Sequence, residues 1–171
     1  MKTKKSRALF IGRFQPIHRG HIHAIRDISR KAGTVVVVIG SAQFSRDSRN
    51  PLNADEREKM LRAALDSAKV RNYEVVKVPD LFHPKKWVKE IQKQVRFDVV
   101  YSMNPWTIRC FREAGIEVRP HKLYNEEVWN GTGIRARIRA GQPWKGLVPG
   151  SVSRFLEIRR MLRFFKPTPQ E

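Results

Sequence analysis

Residues 8–21 read ALFIGRFQPIHRGH, a short apolar run that ends at Gly12 and leads through a turn into a helical pattern. A continuous apolar run such as Ala8–Ile11 is typical of a strand buried on both faces of a sheet. The next run, Thr34–Ile39, reads TVVVVI, and isoleucines recur at helical spacing between the two. This order of strand, helix and strand predicts a parallel strand pair joined by a crossover helix.

The same alternation continues along the chain. Further strands are predicted over Tyr73–Val78 and Phe97–Tyr101, with Ile116–Val118 as a weaker fifth strand and helical patterns between them. Ser151–Phe165 has the pattern of a final amphipathic helix. We therefore expect an α/β fold: a Rossmann-like open parallel sheet with helices on both faces and a small C-terminal helical extension.

The composition limits the class of protein. The chain has 171 residues, 40% of them hydrophobic, so we expect a single domain over residues 1–171 with a C-terminal helical part at approximately 130–171. No apolar run approaches the roughly 20 residues of a membrane helix, and the charged start Met1–Arg7 lacks the apolar segment of a secretory signal. The single cysteine, Cys110, excludes an internal disulfide and a cysteine-based zinc site. These features favour a cytoplasmic location.

The net charge points to the partners. Lys and Arg number 35 against 16 acidic residues, for a net charge of +19. A chain this basic is expected to bind polyanions, either nucleotides or nucleic acid. The positive charge is concentrated after Trp129.

The turn after the first strand has the features of a phosphate site. Ligands of open parallel sheets bind at the carboxyl ends of the strands, and Gly12 and Gly20 let an anion approach the backbone there. His18 and His21 are three residues apart at a helix start, so both imidazoles can point at one spot. The alternatives are a zinc pair or two surface histidines on a turn. A zinc site would need a third and a fourth ligand, and the remaining histidines, His23, His83 and His121, do not lie at ligand-like spacing.

A second anion site is predicted at Trp129–Arg135, which reads WNGTGIR. Backbone N–H groups at a helix start, the Thr132 hydroxyl and the Arg135 guanidinium can all donate to phosphate oxygens. On its own this motif is weak, because Gly-Thr-Gly occurs in many turns.

Together the two motifs resemble the HxGH nucleotidyltransferase superfamily, which is related to the class I aminoacyl-tRNA synthetases. The resemblance is most specific to the archaeal-type nicotinamide-nucleotide adenylyltransferases and covers roughly residues 9–165. Besides HxGH and GTxIR it rests on Gly40-Ser41-Ala42-Gln43, Arg49, Pro51, Ala54, Glu56-Arg57, Trp87, Ser102, Asn104-Pro105 and Leu147-Val148-Pro149.

The resemblance implies an enzyme that transfers the AMP moiety of ATP to nicotinamide mononucleotide (NMN), forming NAD and pyrophosphate by direct in-line attack. It implies Mg²⁺ as the divalent cation, held mainly by the nucleotide phosphates, with no metal ligands from the protein. It also implies a homo-oligomer, often a hexamer.

The family's functional positions map onto this sequence in three groups. His18, His21 and Arg135 would be catalytic. The ATP phosphates would be bound by Gly12, Arg13, Phe14, Gly20, Arg49, Gly131, Thr132 and Ile134. NMN or NAD would be bound by Ser41, Gln43, Trp87 and Asn104.

Two of these positions have a structural alternative. Trp87 with Ile91 also fits a core pair at helical spacing, and Asn104 also fits the N-cap of a helix. The sequence also departs from the family at three positions. Asn130 stands where relatives usually have Ser, Gly133 where they have a larger residue, and Arg46 where they often have His.

Two other functions remain open from the sequence. The same chemistry could serve another acceptor: nicotinic acid mononucleotide, FMN or phosphopantetheine. Alternatively, the basic C-terminal region from Arg135 to Lys166 could make the chain a nucleic-acid-binding module, although no RNP, KH or zinc-finger motif is present.

Overall fold

A computed structural model describes residues 6–166 and contains one five-stranded sheet, in which neighbouring strands are all parallel. Its strands are β1 Arg7–Gly12, β2 Thr34–Ile39, β3 Tyr73–Lys77, β4 Val99–Tyr101 and β5 Val118–Arg119. The α-helices of the described residues are α1 Arg19–Ser29, α2 Ala54–Ser67, α3 Pro84–Gln94, α4 Pro105–Glu113, α5 Gly131–Arg139 and α6 Gly150–Ile158.

The strand order is β3-β2-β1-β4-β5, with β1 in the centre. The chain builds outward from β1 to β3 and then returns to place β4 on the other side of β1. Phe10 of β1 is therefore in register with both Val37 of β2 and Tyr101 of β4. Ligands of such sheets bind where the strand order reverses, which here is the carboxyl end of β1 and β4. The predicted Rossmann-like parallel sheet is confirmed.

Alternating strand residues build a separate core on each face of the sheet. Phe10 and Val37 point into the cluster that is packed by α1, α2, α5 and α6. Leu9 and Val36 point into the opposite cluster, which is packed by α3 and α4. Because both faces are covered, the central strands are apolar along their whole length, as their sequences indicated.

Three predicted elements differ by more than one residue in the structure. The fourth strand is Val99–Tyr101 rather than Phe97–Tyr101. The fifth strand is Val118–Arg119 rather than Ile116–Val118. The single final helix over Ser151–Phe165 is wrong, because Arg160 adopts a left-handed conformation (φ 53°) that ends α6. The chain then forms a short 3₁₀ turn, which returns Phe165 to the core.

Residues 1–5 and 167–171 lie outside the described residues. The single domain over residues 1–171, with its C-terminal helical part at approximately 130–171, and the charged start Met1–Arg7 stay predictions. Within residues 6–166, no helix combines the length and the apolar character that crossing a bilayer requires.

Candidate active site

The turn between β1 and α1 is held at its centre by Gln15. Its buried side chain donates to the carbonyl of Leu52 (2.7 Å) and accepts from the N–H of the same residue (3.0 Å). Phe14, also buried, has a positive φ of 52° and folds its ring beneath Gly12. A Cβ at Gly12 would lie 3.0 Å from that ring. Gly12 thus makes room for Phe14, which the sequence interpretation of an open phosphate approach did not anticipate.

His18 and His21 stack on each other at the start of α1. Their ring centroids are 3.6 Å apart, and the N–H of His18 donates to Nδ1 of His21 (3.3 Å). Burial lowers the pKa of His18 to about 4. Burial, followed by the neighbours His18 and His121, lowers the pKa of His21 well below its ordinary range. Both imidazoles are therefore neutral at pH 7, and each can offer one N–H to a ligand.

Arg135 joins the two motifs that the sequence placed 120 residues apart. Its Nη1 donates to the Gln15 carbonyl (2.9 Å), and its Nη2 donates to the Thr132 hydroxyl (3.2 Å). Gly131 permits this approach, because a Cβ there would lie 3.2 Å from Nη1 of Arg135. Burial lowers the pKa of Arg135 to about 10, with the cations Arg13 and Arg139 adding to the effect, so the guanidinium stays charged at pH 7.

Two adjoining clefts result. The first, of about 150 Å³, brings together predicted phosphate-binding residues from both motifs. The second, of about 220 Å³, lies between α1, the end of β4 and residues 121–129, and the histidine pair lines both. The first is lined by Arg13, Phe14, His18, His21, Gly131, Thr132 and Arg135, and the second by His18, Gly20, His21 and Asn104 among others.

The start of α5 has a specific set of donors. The N–H groups of Gly133 and Ile134 donate to Asn130, to its side chain (2.7 Å) and its carbonyl (3.1 Å) respectively. The side chain of Ile134 is buried in the core. The side chain of Ile134 thus has a core role, and its predicted phosphate contact stays a prediction. The N–H groups of Gly131 and Thr132 precede the helical hydrogen-bonding pattern and are left to face an anion.

Arg49 lies on a tight turn beside these clefts. The carboxylate of Asp47 accepts from the N–H of Arg49 (2.7 Å) and from that of Asn50 (2.7 Å). The Arg49 side chain is exposed, yet its charge contributes to the lowered pKa of Arg135. Arg13 and Arg135 line the first cleft, while Arg49 does not line it and adds to the positive charge around Arg135.

Some of the residues that were predicted to bind NMN lie away from His18 and His21. Ser41 donates its hydroxyl to the Asp80 carboxylate (2.5 Å), and the Gln43 side chain exchanges two hydrogen bonds with the Asp80 backbone. Both side chains therefore tie the end of β2 to the loop after β3. Asn104 caps α4 by accepting from the N–H of Thr107 (3.0 Å), and it also lines the second cleft.

Trp87 belongs to the core in this structure. Its ring is 2% exposed and lies 4.7 Å from the ring of Trp106 and 5.6 Å from that of Phe111. Of the two sequence interpretations, core packing describes its present position. Its indole Nε1 is buried without a hydrogen-bond partner among the described residues.

Arg57 is a positioning residue that sequence reasoning missed. The side chain is completely buried and donates to the carbonyls of Arg13 (3.0 Å), Gly40 (2.8 Å) and Ser41 (3.0 Å). It thereby clamps the residues that follow β1 to those that follow β2. One clue was available: Arg57 falls on the apolar stripe of α2, where a charged residue is costly unless it is paired or hydrogen-bonded.

The departures Asn130 and Gly133 are linked. The Asn130 side chain accepts from the N–H of Gly133 and donates to the carbonyl of Glu126 (3.0 Å), so it caps α5 and holds the preceding loop. A Cβ at position 133 would lie 3.1 Å from the Asn130 oxygen. The glycine at position 133 therefore leaves room for the larger capping residue, Asn130. Arg46, the third departure, pairs with Glu56 at 2.6 Å.

No protein-based metal cluster is found in the part of the chain that the structure describes. Within residues 6–166, no three side chains of His, Cys, Asp or Glu converge to hold an ion. The lining of the first cleft is made of cationic, aromatic, hydroxyl and imidazole side chains and backbone. This donor set suits phosphate oxygens.

The clefts of this parallel sheet lie where the strand order reverses, which is where such sheets bind nucleotides. One cleft is lined by a histidine pair at the start of α1 and by the cationic start of α5, and both helix starts suit phosphate. These features define a nucleotide-binding α/β protein of the nucleotidyltransferase class. Residues 9–136 match the family described as Cytidylyltransferase-like. The chain belongs to that family and, within it, to the nicotinamide-nucleotide adenylyltransferases.

Several archaeal proteins of that name are similar to this chain. The chain is 45% identical over 147 residues to the nicotinamide-nucleotide adenylyltransferase of Methanolobus tindarius, covering 85% of this chain and 84% of the relative. It is 44% identical over 148 residues to that of Methanosarcina barkeri, covering 86% and 85%. The enzyme of Thermoplasma acidophilum is 38% identical over 150 residues, covering 87% and 84%.

The solved structures support the same fold. A bifunctional NMN adenylyltransferase/ADP ribose pyrophosphatase from Francisella tularensis, complexed with AMP and a manganese ion, superposes with a TM-score of 0.77 at 22% identity. The match covers 95% of this chain and 52% of that chain, so this chain spans about half the length of the bifunctional protein.

The pair Asn130 and Gly133 predicts a non-additive double mutant. Ala is about 1 kcal/mol better than Gly inside a helix, but in Gly133→Ala the new methyl meets the Asn130 side chain, so most of this gain is lost. In Asn130→Ser/Gly133→Ala the shorter cap removes the contact, and we expect a coupling of about 1 kcal/mol in urea unfolding. Gly150→Ala, which meets no atom within 4 Å, combined with Asn130→Ser should be additive. If the changes in the free energy of unfolding were additive in both pairs, Gly133 would not compensate for the size of Asn130.

Arg57→Met leaves the carbonyls of Arg13, Gly40 and Ser41 without this buried donor. We expect the free energy of unfolding to fall by about 3 kcal/mol, measured by urea denaturation. Arg62→Met on the same helix is the control, because Arg62 is exposed, pairs with Glu58 and lies 5.9 Å from the centroid of the Tyr73 ring. Loss of these exposed contacts should cost about 0.5 kcal/mol. Equal losses in the two variants would show that Arg57 clamps nothing.

The lowered pKa of His18 predicts acid sensitivity. The unfolded chain takes up a proton at this position below pH 6.5, whereas the folded chain does so only near pH 4. The free energy of unfolding therefore falls as the pH is lowered from 6.5 to 4, by roughly 3 kcal/mol from this residue. His18→Gln should flatten that part of the profile in urea denaturation at each pH. A variant profile parallel to the wild-type profile would contradict the assignment.

Proposed function

We propose that this chain transfers the AMP moiety of ATP to NMN, forming NAD and pyrophosphate. The observation that carries the proposal is the hydrogen bond from Arg135 to the Gln15 carbonyl, since it places both phosphate-binding helix starts on one cleft. The names and high identity of the archaeal relatives support the choice of substrates. A cytoplasmic location and a homo-oligomer, often a hexamer in the family, are part of the proposal.

The reaction needs alignment more than acid–base chemistry. An oxygen of the NMN 5′-phosphate attacks the α-phosphorus of ATP, and the bond to the bridging oxygen breaks as pyrophosphate leaves with the electron pair. The attacking group is already an anion, so no side chain has to remove a proton from it. The protein must hold two polyanions in line and stabilise charge on the phosphoryl group during transfer.

The cleft residues divide this task. His18 and His21, both neutral in the free protein, would donate N–H groups to the α-phosphate oxygens as charge builds there. Arg135, the Thr132 hydroxyl and the first N–H groups of α5 would hold the β- and γ-phosphates. Arg13 and Arg49 would add positive charge where the two nucleotides meet.

The acceptor side is proposed on different grounds. Asn104 lines the second cleft beside the histidines, so its amide would contact the ligand while its oxygen caps α4. Ser41 and Gln43 would act through the loop that they fasten to Asp80. A stacking role for Trp87 on the nicotinamide ring, which the resemblance implies, would require Trp106 to uncover the Trp87 ring on binding.

Mg²⁺ fits this site as a companion of the nucleotide. Mg²⁺ in such enzymes is bound by substrate phosphates and water with few protein carboxylates. No carboxylate lines the first cleft among the described residues, so the phosphates themselves would be its main ligands. The ion would supply charge neutralisation on the triphosphate, while the protein residues orient the phosphates.

An acceptor panel tests the proposal. Purified protein with Mg-ATP is offered NMN, nicotinic acid mononucleotide, FMN or phosphopantetheine, and pyrophosphate and dinucleotide are measured by chromatography. We expect the highest kcat/KM with NMN, with NAD as the product. Turnover with only one of the other compounds would identify that compound as the acceptor in place of NMN. If no compound led to the release of pyrophosphate, the proposed adenylyl transfer would be refuted.

Replacing one histidine tests the mechanism. His18→Ala should lower kcat by roughly 10²- to 10³-fold, as the loss of one donor to a charged transition state does elsewhere. ATP should still raise the melting temperature of the variant, because the arginines remain. His83→Ala, an exposed histidine on the α3 side of the sheet, is the matched control and should keep wild-type turnover. Near-normal turnover of His18→Ala would remove His18 from the mechanism.

A further inference from the structure

The proposed reaction leaves much of the positive charge unexplained. Arg13 and Arg135 line the first cleft and Arg49 adds to the positive charge around Arg135, yet the net charge is +19. Part of the excess lines a second concavity, the C-terminal groove, which lies beside the 3₁₀ turn that follows α6 and measures about 1140 Å³. Its charged lining consists of Arg46, Arg139, Arg160, Arg163, Lys166 and, as the one carboxylate, Asp47.

Two of the five cations have internal partners. Arg46 pairs with Glu56 (2.6 Å), and Arg139 donates to the carbonyls of Phe165 (2.9 Å) and Ser48. The other three, Arg160, Arg163 and Lys166, are exposed and form no ion pair within residues 6–166. These three charges cost little to keep in water and are placed to meet an external anion.

The backbone fixes the groove in shape. The left-handed conformation of Arg160 turns the chain back on itself, and the buried Phe165 anchors the turn in the core. Phe164 is flanked by two guanidiniums, with Arg46 3.5 Å and Arg163 4.7 Å from its ring centroid. The aromatic ring therefore holds both guanidiniums close to it through cation–π contacts.

We propose that the C-terminal groove binds single-stranded nucleic acid through its phosphate backbone, without reading the bases. Positively charged grooves that track the backbone are how proteins hold single strands without sequence preference. The groove, at about 1140 Å³, exceeds the 300–1,000 Å³ typical of small-molecule sites. This site is separate from the nucleotide clefts and goes beyond the proposed adenylyl transfer.

The other polyanionic or protein partners fit less well. A membrane surface is planar on this scale and would reach the rim of a concave groove rather than the cations within it. A second copy of this chain would bring another net charge of +19 to a surface that is itself positive. A flexible single strand can follow the concave surface and place successive phosphates on the three exposed cations.

Salt dependence of binding is the test. The probe is a fluorescein-labelled uridine 20-mer, and its dissociation constant is measured by anisotropy between 50 and 300 mM KCl. Each neutralised phosphate contributes about 0.7 to the log–log slope for single strands, so the triple variant Arg160→Gln/Arg163→Gln/Lys166→Gln should lower the slope by about 2. A random-sequence 20-mer should bind the wild-type protein equally well.

The matched control removes the same charge from the opposite layer. Lys89, Arg109 and Arg112 are exposed on α3 and α4, which pack the other face of the sheet. Lys89→Gln/Arg109→Gln/Arg112→Gln should keep the wild-type slope. Both triple variants should retain wild-type turnover of whichever acceptor the panel identifies, so the nucleic-acid result stands whether or not NMN is that acceptor.

Four results would overturn the proposal. If the salt-dependence slope fell equally in the two triple variants, the 20-mer would be attracted by the positive charge of the whole surface rather than by the C-terminal groove. No binding of the 20-mer at 100 mM KCl would remove the site. Binding to vesicles of phosphatidylglycerol and phosphatidylcholine in the absence of 20-mer binding would assign the groove to a lipid surface. Self-association by light scattering that only the groove variant abolishes would assign it to a second copy.

Discussion

The hydrogen bond from Arg135 to the carbonyl of Gln15 is the contact on which the site depends. It spans 120 residues of sequence and joins the start of α5 to the turn after β1. The same turn is held from the other side, where the Gln15 side chain pairs with Leu52. Because two distant helix starts are fixed against one short turn, their N–H groups and side chains converge on a single cleft without a ligand to assemble them.

The electrostatics of the site follow from this packing. Arg57 and Arg135 are both buried, and burial lowers the pKa of each to about 10. Neither forms an ion pair with a carboxylate within residues 6–166; their partners are carbonyls and a hydroxyl. Buried positive charge of this kind is costly in the free protein, and a bound triphosphate would offset that cost. The neutral histidines add N–H donors without further repulsion between cations.

The fold could be predicted from its sequence to a large extent, because its signals are local. The apolar runs of β1 and β2, the cap Asn104, and the position of the histidine motif after β1 all correspond to the structure. What could not be predicted depends on tertiary contacts. The turn at Arg160 requires a left-handed non-glycine residue, which no residue pattern marks. The space that Gly12 leaves for the Phe14 ring, the fit of Gly133 beside Asn130 and the hydrogen bonds of Arg57 become visible only in the folded structure.

A crystal structure of the chain with α,β-methylene-ATP and NMN is the most direct measurement of the central claim, that both helix starts act on one triphosphate. The account predicts the α-phosphate oxygens within hydrogen-bond distance of His18 and His21, and the β- and γ-phosphates on Arg135 and Thr132. A nucleotide bound with its phosphates outside the cleft that these residues line would contradict it.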